Sequence, residues 1–597
     1  MTAGDTEKCI ERAGYLCFDA KEIDMRTRVI VTGAAPFLLT ALFHMAAARL
    51  QAQAPGAALS GVVSSQEEDK MEGVVVTARR DGANFSVSVV SDAQGQYSFP
   101  RSHIQPGKYT LTMRAIGYDL IEAGPVDVIL TTTATRDLKL RKTADLSRQL
   151  SSREWALSMP RPDDMRDNTV MLGVSCTYCH SLERVLKSKH SAEQFVPVIT
   201  RMLRYFPDGS AAPSGTGRTR ARLKDKAGLE DAEKSPYWSP PRRDVSGVSK
   251  ADLGKYLASV NLSAERTEWP FALKTLPRPK GEATRVIVTT WDIPRKDTVA
   301  HDSEVDSNGN VWYTDENAMI VGMLDPRTNT FTEYRLNPAN MSVPGVRDVI
   351  IDKQDNVWLP LREEGNRQTL HKFEPATGKL TMIEGTQGAG VYGDAEPDGS
   401  HVWLGYVRVN TKTGQVDGDF RTPPNLPPGQ QSVGYGFVVS SKGNPYGTDF
   451  GGSRIYGVDV LNNEGKFWPT LRPNVWPRRG RMDAQDRFWY ALYGGDAIGM
   501  FDTRNEKMTD WKVPIKYTTP YTATVPDAKG YVYAPSNTSE RLLRLDPKTG
   551  EVVEYPMPNA PGNFDAKKLS LDPTATKTVI LFANIRNAEI MRVEPLD

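Results

Sequence analysis

The chain has 597 residues, with 74 Lys+Arg against 73 Asp+Glu. A formal net charge of +1 excludes the strongly basic surface of a nucleic-acid binder or of a protein held on anionic membranes. The length sets an expectation of about three or four domains, and nothing after the first fifty or so residues is apolar enough to span a bilayer.

Met25-Arg26-Thr27-Arg28 is a short basic start, and the apolar run from Val29 to Ala48 follows it. With small residues at Ala46-Ala47-Ala48 and at Ala52, residues 25–52 read as a secretory signal peptide cleaved after Ala48 or Ala52. Residues 1–24, a polar lead carrying Cys9 and Cys17, then make little sense ahead of a signal. Translation is expected to begin at Met25, and the product is expected in the periplasm or outside the cell, with no membrane span after cleavage. On that reading only Cys176 and Cys179 remain in the mature chain.

Residues 58–141 alternate apolar and polar side chains in short runs such as Tyr109-Thr110-Leu111-Thr112-Met113, broken by Gly, Pro and Asp. A period of two with such breaks predicts an all-β sandwich. The units Asp92-Ala93-Gln94-Gly95-Gln96-Tyr97-Ser98-Phe99, Gln105-Pro106-Gly107-Lys108-Tyr109-Thr110-Leu111 and Ala115-Ile116-Gly117-Tyr118 resemble the carboxypeptidase regulatory-like domain. The resemblance implies a transthyretin-type, non-catalytic accessory. His103 is expected in a turn, as a solvated loop residue.

Cys176-Thr177-Tyr178-Cys179-His180 has the pattern of covalent c-type haem attachment. In a helical turn, two intervening residues bring both thiols to one side, where each can form a thioether with the porphyrin edge, and His180 falls beneath the iron. A zinc site would need about four ligands, and no second Cys or Cys/His pair shares the mature chain. A thioredoxin-type pair expects a preceding strand, whereas the flanks here are helical in pattern. Leu182, Val185 and Leu186 continue an apolar face, Ser191-Ala192-Glu193-Gln194 reads as a capping box, and Leu253, Tyr256, Leu257 and Val260 form a closing helical stripe. Residues 150–263 thus resemble a mono-haem cytochrome c, an all-α domain. Met202 is the first choice for the distal iron ligand and His190 the alternative; Met202 also shares a helical stripe with Phe195, Ile199 and Phe206, as a core residue would. Pro270, Pro277 and Pro279 mark a stiff linker over residues 264–283.

From residue 284 to the end, a unit of turn, aromatic strand and closing strand recurs about every forty to fifty residues. Copies include Asp306-Ser307-Asn308-Gly309-Asn310-Val311-Trp312, Asp352-Lys353-Gln354-Asp355-Asn356-Val357-Trp358, Asp483-Ala484-Gln485-Asp486-Arg487-Phe488-Trp489 and Asp527-Ala528-Lys529-Gly530-Tyr531-Val532-Tyr533. This predicts an all-β propeller of about seven blades, with residues near Val286 to Trp291 closing the last one. Trp312, Trp358, Trp403 and Trp489 recur by repeat position and are expected in blade cores. The "DSNGNVWYTD" and "LDPRTNTFTEY" units resemble the streptogramin lyase family, whose magnesium-assisted elimination uses histidine and glutamate from later blades. This chain has no histidine after His401, so the lyase site is not carried over.

Residues flanking the innermost strands of such a fold face its axis. Candidates are His301, Asp302, Asp315, Glu316, Arg347, Asp348, Arg362, Tyr392, Asp394, Asp449, Arg479 and Tyr521. His301 with Asp302 and Asp315 could hold a divalent cation or act as a general base. The expected function is that of an exported c-type cytochrome passing electrons, its propeller docking a redox partner protein or small-molecule substrate. Two alternatives stand: a propeller enzyme, either an oxidoreductase drained by the haem or a metal-assisted lyase, and a surface-polymer binding module with redox sensing.

Overall fold

The computed structural model describes residues 56–160, 177, 181–204, 249–262, 266–316, 318–337, 345–362, 368–428 and 431–596. The upstream lead, the signal segment, Cys176, Cys179 and His180 lie outside the described residues, as does the side chain of Met202. The described chain is mostly β, with four α-helices. Among the described residues no helix is long and apolar enough to cross a membrane.

The first described segment is the expected sandwich. In Gly107–Arg114 the side chains of Tyr109 and Leu111 are buried while Lys108, Thr110 and Thr112 face solvent, so the alternation in the sequence becomes the two faces of a strand. Val75–Arg80 lies between Phe85–Val90 and Gly107–Arg114 in one sheet. Ala57–Ser65 pairs with Gln96–Pro100 and Leu138–Lys142 in the other. Leu59, Val63, Val76, Val87, Tyr97, Phe99 and Leu138 fill the space between them.

Beyond residue 284 the chain forms a propeller-like succession of sheets. Five have four antiparallel strands, beginning with Ala300–Val305, Ile350–Ile351, Gly393–Ala395, Phe437–Val439 and Pro477–Met482. A three-stranded sheet follows over Val532–Pro556, and the last contains Ser570–Leu571, Ile580–Asn584 and Glu589–Pro595. Val286–Asp292 pairs antiparallel with Glu589–Pro595, so a strand from before the first sheet completes the last, as the sequence predicts.

The repeat has a local physical cause. The acid that opens each turn accepts backbone N–H groups two and four residues on, and its second oxygen accepts the indole N–H six residues on: Asp306 from Trp312 (3.0 Å), Asp352 from Trp358 (2.9 Å) and Asp483 from Trp489 (2.8 Å). Trp403 donates its indole N–H to Glu396, seven residues before it, and the Tyr533 hydroxyl donates to Asp527, six residues before it. The third residue after the acid has positive φ in each of these turns, which explains Gly309, Gly399 and Gly530. Where Asp355 and Asp486 occupy that strained position, each carboxylate accepts the amide of a serine in the preceding sheet's turn, Ser307 or Ser441. All four tryptophans are buried.

The segments pack as one unit. Phe85–Val90 of the sandwich pairs along Val286–Asp292, so one sheet runs from the sandwich into the last propeller sheet. His103 does lie in a turn, but it is not a solvated loop residue: its Nε2 is 2.9 Å from Glu594, tying the turn to the final strand. The proline-rich stretch is also packed, with the Leu276 amide donating to Glu154 and the Pro277 carbonyl accepting from Arg541.

The helices α1 (Ser152–Ser158), α2 (Glu183–Leu186), α3 (Ala192–Arg204) and α4 (Lys250–Val260) share an apolar cluster that includes Trp155, Leu182, Leu186, Phe195, Leu253, Leu257 and Val260. The expected capping box is present: Ser191 accepts from the Gln194 amide, and Gln194 returns a bond to the Ser191 amide. Pro197 lies within α3 without ending it. Buried Arg153 joins α1 to the sheets by donating to the Ile515 and Lys516 carbonyls and to Glu554.

Candidate functional site

The innermost strands lie side by side, and alternation along them sends every second residue inward. On Ala300–Val305 these are Asp302 and Glu304; on Pro477–Met482 they are Arg479 and Arg481. Two rungs result, Arg479 to Asp302 at 2.7 Å and Arg481 to Glu304 at 2.7 Å. Lys568 joins them, 2.9 Å from Asp348 and 3.0 Å from Glu304. A ladder of alternating charge, buried at Asp302, Asp348, Arg479 and Lys568 and half-buried at Glu304 and Arg481, therefore runs between the inner strands.

Burial opposes the ionisation of Asp302, but Arg479 and His301 outweigh it and hold the carboxyl well below its usual range. Burial likewise opposes Glu304, which Arg481 and Lys568 bring down to about 2. Asp348 goes the other way: burial raises it, Lys568 counters, and the neighbouring charge of Asp302 adds to the rise. Asp394 accepts the Ala395 and Val439 amides, yet burial pushes it up to about 6.

Above the ladder, at the ends of the inner strands where most of the predicted candidates gather, His301 Nδ1 is 3.0 Å from Asp302 and 3.1 Å from the Arg347 carbonyl. Both neighbours only accept, so Nδ1 carries a proton, and Nε2 is the acceptor whenever the ring bears a single proton. Arg347 donates to Glu316 at 3.1 Å. Tyr392 stacks near His301 and carries the Arg479 guanidinium over its ring at 4.0 Å. His301, Asp302, Glu316, Arg347, Asp348, Tyr392 and Arg479 are thus brought together. Asp315 is not drawn into the His301 pair; it accepts from Arg295 and the Val299 amide. Asp449 pairs locally with Arg454. Arg362 is buried at the end of Val357–Arg362, opposite Gln368.

Tyr521 belongs to a second group beside the first. Its hydroxyl is 2.5 Å from that of Tyr435, and Arg478 lies over the rings of Tyr493 (4.0 Å), Tyr521 (4.3 Å), Phe450 (4.8 Å) and Tyr435 (5.1 Å). Lys567 is 4.1 Å from the Tyr521 ring and 2.8 Å from Asp565. Asp565 faces Arg586, which donates to the Thr177 carbonyl at 2.6 Å. Thr177, one of the two residues between the motif cysteines, is therefore tied to the last sheet, and Ser181 packs on Gly562 nearby.

Sequence reasoning missed Glu304, Tyr435, Arg478, Arg481, Lys567, Lys568 and Arg586. The alternation Asp302-x-Glu304 and Arg479-x-Arg481 within predicted inner strands is the signal that could have found two of these, Glu304 and Arg481. Among the described residues no group of three or more His, Cys, Asp or Glu side chains could hold a metal ion. A divalent ion at His301 and Asp302 would have to displace Arg479. His190 is exposed, its ring edge-on to Phe195.

Comparison with known proteins gives a match to the carboxypeptidase regulatory-like domain over residues 58–141, the segment that forms the sandwich. No curated protein matches the chain. Among solved structures, virginiamycin B lyase from Staphylococcus aureus is 17% identical, with a TM-score of 0.43 over 52% of this chain and 99% of that one. A streptogramin B lyase is 13% identical, with a TM-score of 0.44 over 53% and 99%. The Cps50 (Swd1) beta-propeller domain of Myceliophteria thermophila is 10% identical, with a TM-score of 0.39 over 51% and 99%.

Proposed function

We propose that the chain is an exported, haem-bearing electron-transfer protein whose sheets close into a propeller of seven blades, with the axial face docking the electron donor or acceptor. The observation that carries this reading is the bond from Arg586 to the Thr177 carbonyl. It links the haem-attachment pattern to the face on which the His301 and Tyr435 groups lie.

The surroundings fit a covalent porphyrin. Thr177 is buried, and Leu182 and Leu186 follow it into the apolar cluster shared with α4, a wall of the kind a haem edge requires. Cys176 and Cys179 would hold the porphyrin and His180 the iron, with Met202 proposed as a second iron ligand and His190 as the alternative. Bound there, the haem supplies one-electron redox chemistry. The chain's own residues fix the attachment turn through Arg586 and Asp565, and they present the face that a partner protein or small molecule would meet.

The full chain, produced in a host that matures c-type haem, should give the alkaline pyridine spectrum of haem c and keep its colour on a denaturing gel. Cys176→Ser with Cys179→Ser should lose both. A colourless wild-type product from that host would sink the proposal. The alternative of a propeller oxidoreductase draws on one specific feature: His301, with Nδ1 held by Asp302 and the Arg347 carbonyl, has the tautomer of a general base.

A further inference from the structure

Sandwich, proline-rich stretch and propeller-like sheets meet around a cavity of about 30 Å³. That is more than the roughly 10–15 Å³ that one water needs. The sandwich contributes Arg114 and Ala115, the proline-rich stretch Leu276 and Arg278, and the three-stranded sheet Ser539 and Arg541. One wall is fixed by close packing. Gly73 has a φ of +78°, and a Cβ there would fall 2.2 Å from the Pro279 carbonyl oxygen, so the stretch lies directly on the sandwich turn.

Three guanidinium groups line this space, and among the described residues no carboxylate does. The carboxylates that reach the three from outside are each shared with another donor. Arg114 is 3.0 Å from Glu540, which also accepts the Gly562 amide at 2.9 Å. Arg541 is 3.0 Å from Glu554, which Arg153 shares at 3.0 Å. Arg278 pairs with Glu68, which also accepts the Tyr118 hydroxyl. Glu154 is committed to the Ser151 and Leu276 amides.

One donor is left over. Arg278 Nη1 is buried and has no hydrogen-bond partner among the described residues. Arginine keeps its charge under all ordinary conditions, so a buried N–H of this kind is stabilised by any acceptor that enters the cavity, and most by a charged one. The electrostatics at Arg541 point the same way. Burial pulls it down and Glu554 and Glu154 resist, while the charges of Arg153 and Arg114 add to the fall, as expected in a cluster of cations short of negative charge.

We propose that this cavity binds a small inorganic anion of about chloride size, held by Arg278 together with Arg114 and Arg541, and that the bound anion fastens the sandwich and the proline-rich stretch to the propeller-like sheets. The three arginines come from the three segments that meet there, so an anion between them links all three at once. Its volume admits a halide and leaves no room for a bulky organic anion.

The test uses the full chain, with chloride replacing gluconate at constant ionic strength. Amide exchange of peptides covering residues 113–118 and 276–281 should slow by the factor 1 + [chloride]/Kd, about tenfold at about nine times Kd. Chlorine-35 line broadening should accompany the slowing, and bromide should reverse the broadening by competition. Both effects should be lost in Arg278→Gln and in Ala115→Leu, which fills the cavity without touching a charge. If Arg278→Gln fails to fold because Glu68 is left unpaired, Ala115→Leu decides alone. Exchange in wild type that is indifferent to chloride means that the cavity holds water only, and overturns the proposal. Equal slowing in wild type and Ala115→Leu puts the anion elsewhere and overturns it as well.

Discussion

Replacing Arg153 by methionine tests how α1 is held on the sheets. The side chain is fully buried, and its Nε and Nη2 donate to the Lys516 and Ile515 carbonyls at 2.9 and 2.6 Å. Nη1 is 3.0 Å from Glu554, which keeps a second partner in Arg541, also at 3.0 Å. The methionine variant therefore removes two bonds from a buried guanidinium to backbone carbonyls without stranding a carboxylate, while the Ile515 carbonyl keeps the Thr518 hydroxyl as a donor. At about 1.5 kcal/mol for each bond from a charged donor, the loss should be about 3 kcal/mol. Methionine fills much of the stem volume, so little of that figure comes from a cavity. The appropriate assay is native-state hydrogen exchange of peptides covering residues 150–159 and 513–518, because the cost falls on local opening rather than on a single global transition. An opening free energy lower by about 3 kcal/mol means exchange faster by about two orders of magnitude. A change within threefold at both peptides would show that α1 is held by its apolar packing alone, and the argument from Arg153 would be wrong.

Glu540, buried and 3.0 Å from Arg114 at the junction of sandwich and propeller, is raised by burial to about 7 against the pull of that arginine. Its folded value exceeds its unfolded one, so the native state binds the extra proton; this contribution is full below about pH 4.5 and is lost as pH rises to about 7. Glu540→Gln should abolish that slope, worth at most about 3 kcal/mol, in denaturation curves measured across the interval. Asp483→Ala should cost about 2–3 kcal/mol by removing the acceptor of two turn amides and the Trp489 indole, while Asp483→Asn should cost less. Calorimetric melting would check both, and equal losses would contradict the account of the repeat turn. If the chain carries the proposed haem, Arg586→Gln, which removes the charge beside Thr177, should lower its reduction potential relative to wild type in a redox titration, and Arg586→Lys should restore part of it. An unchanged potential would mean that the Thr177 contact is structural only.

The sequence by itself determined what is local. The sandwich follows from a period of two. The propeller-like sheets follow from an acid that binds amides two and four residues on and an indole six residues on, a pattern contained within seven consecutive residues. The capping box at Ser191 is equally short-ranged. His103 was misread because its partner, Glu594, lies 491 positions away. The axial ladder has the same character: Arg479 and Asp302 stand 177 residues apart, as do Arg481 and Glu304. Alternation says which residues share a face of a strand, but only the packing of successive sheets decides which face meets the axis and which charge meets which. The link from Arg586 to Thr177 spans 409 positions and follows from no local propensity. The tertiary structure decided it by laying the helical segment against the last sheet, where a guanidinium already held by Asp565 reaches a carbonyl that no neighbour in sequence could supply.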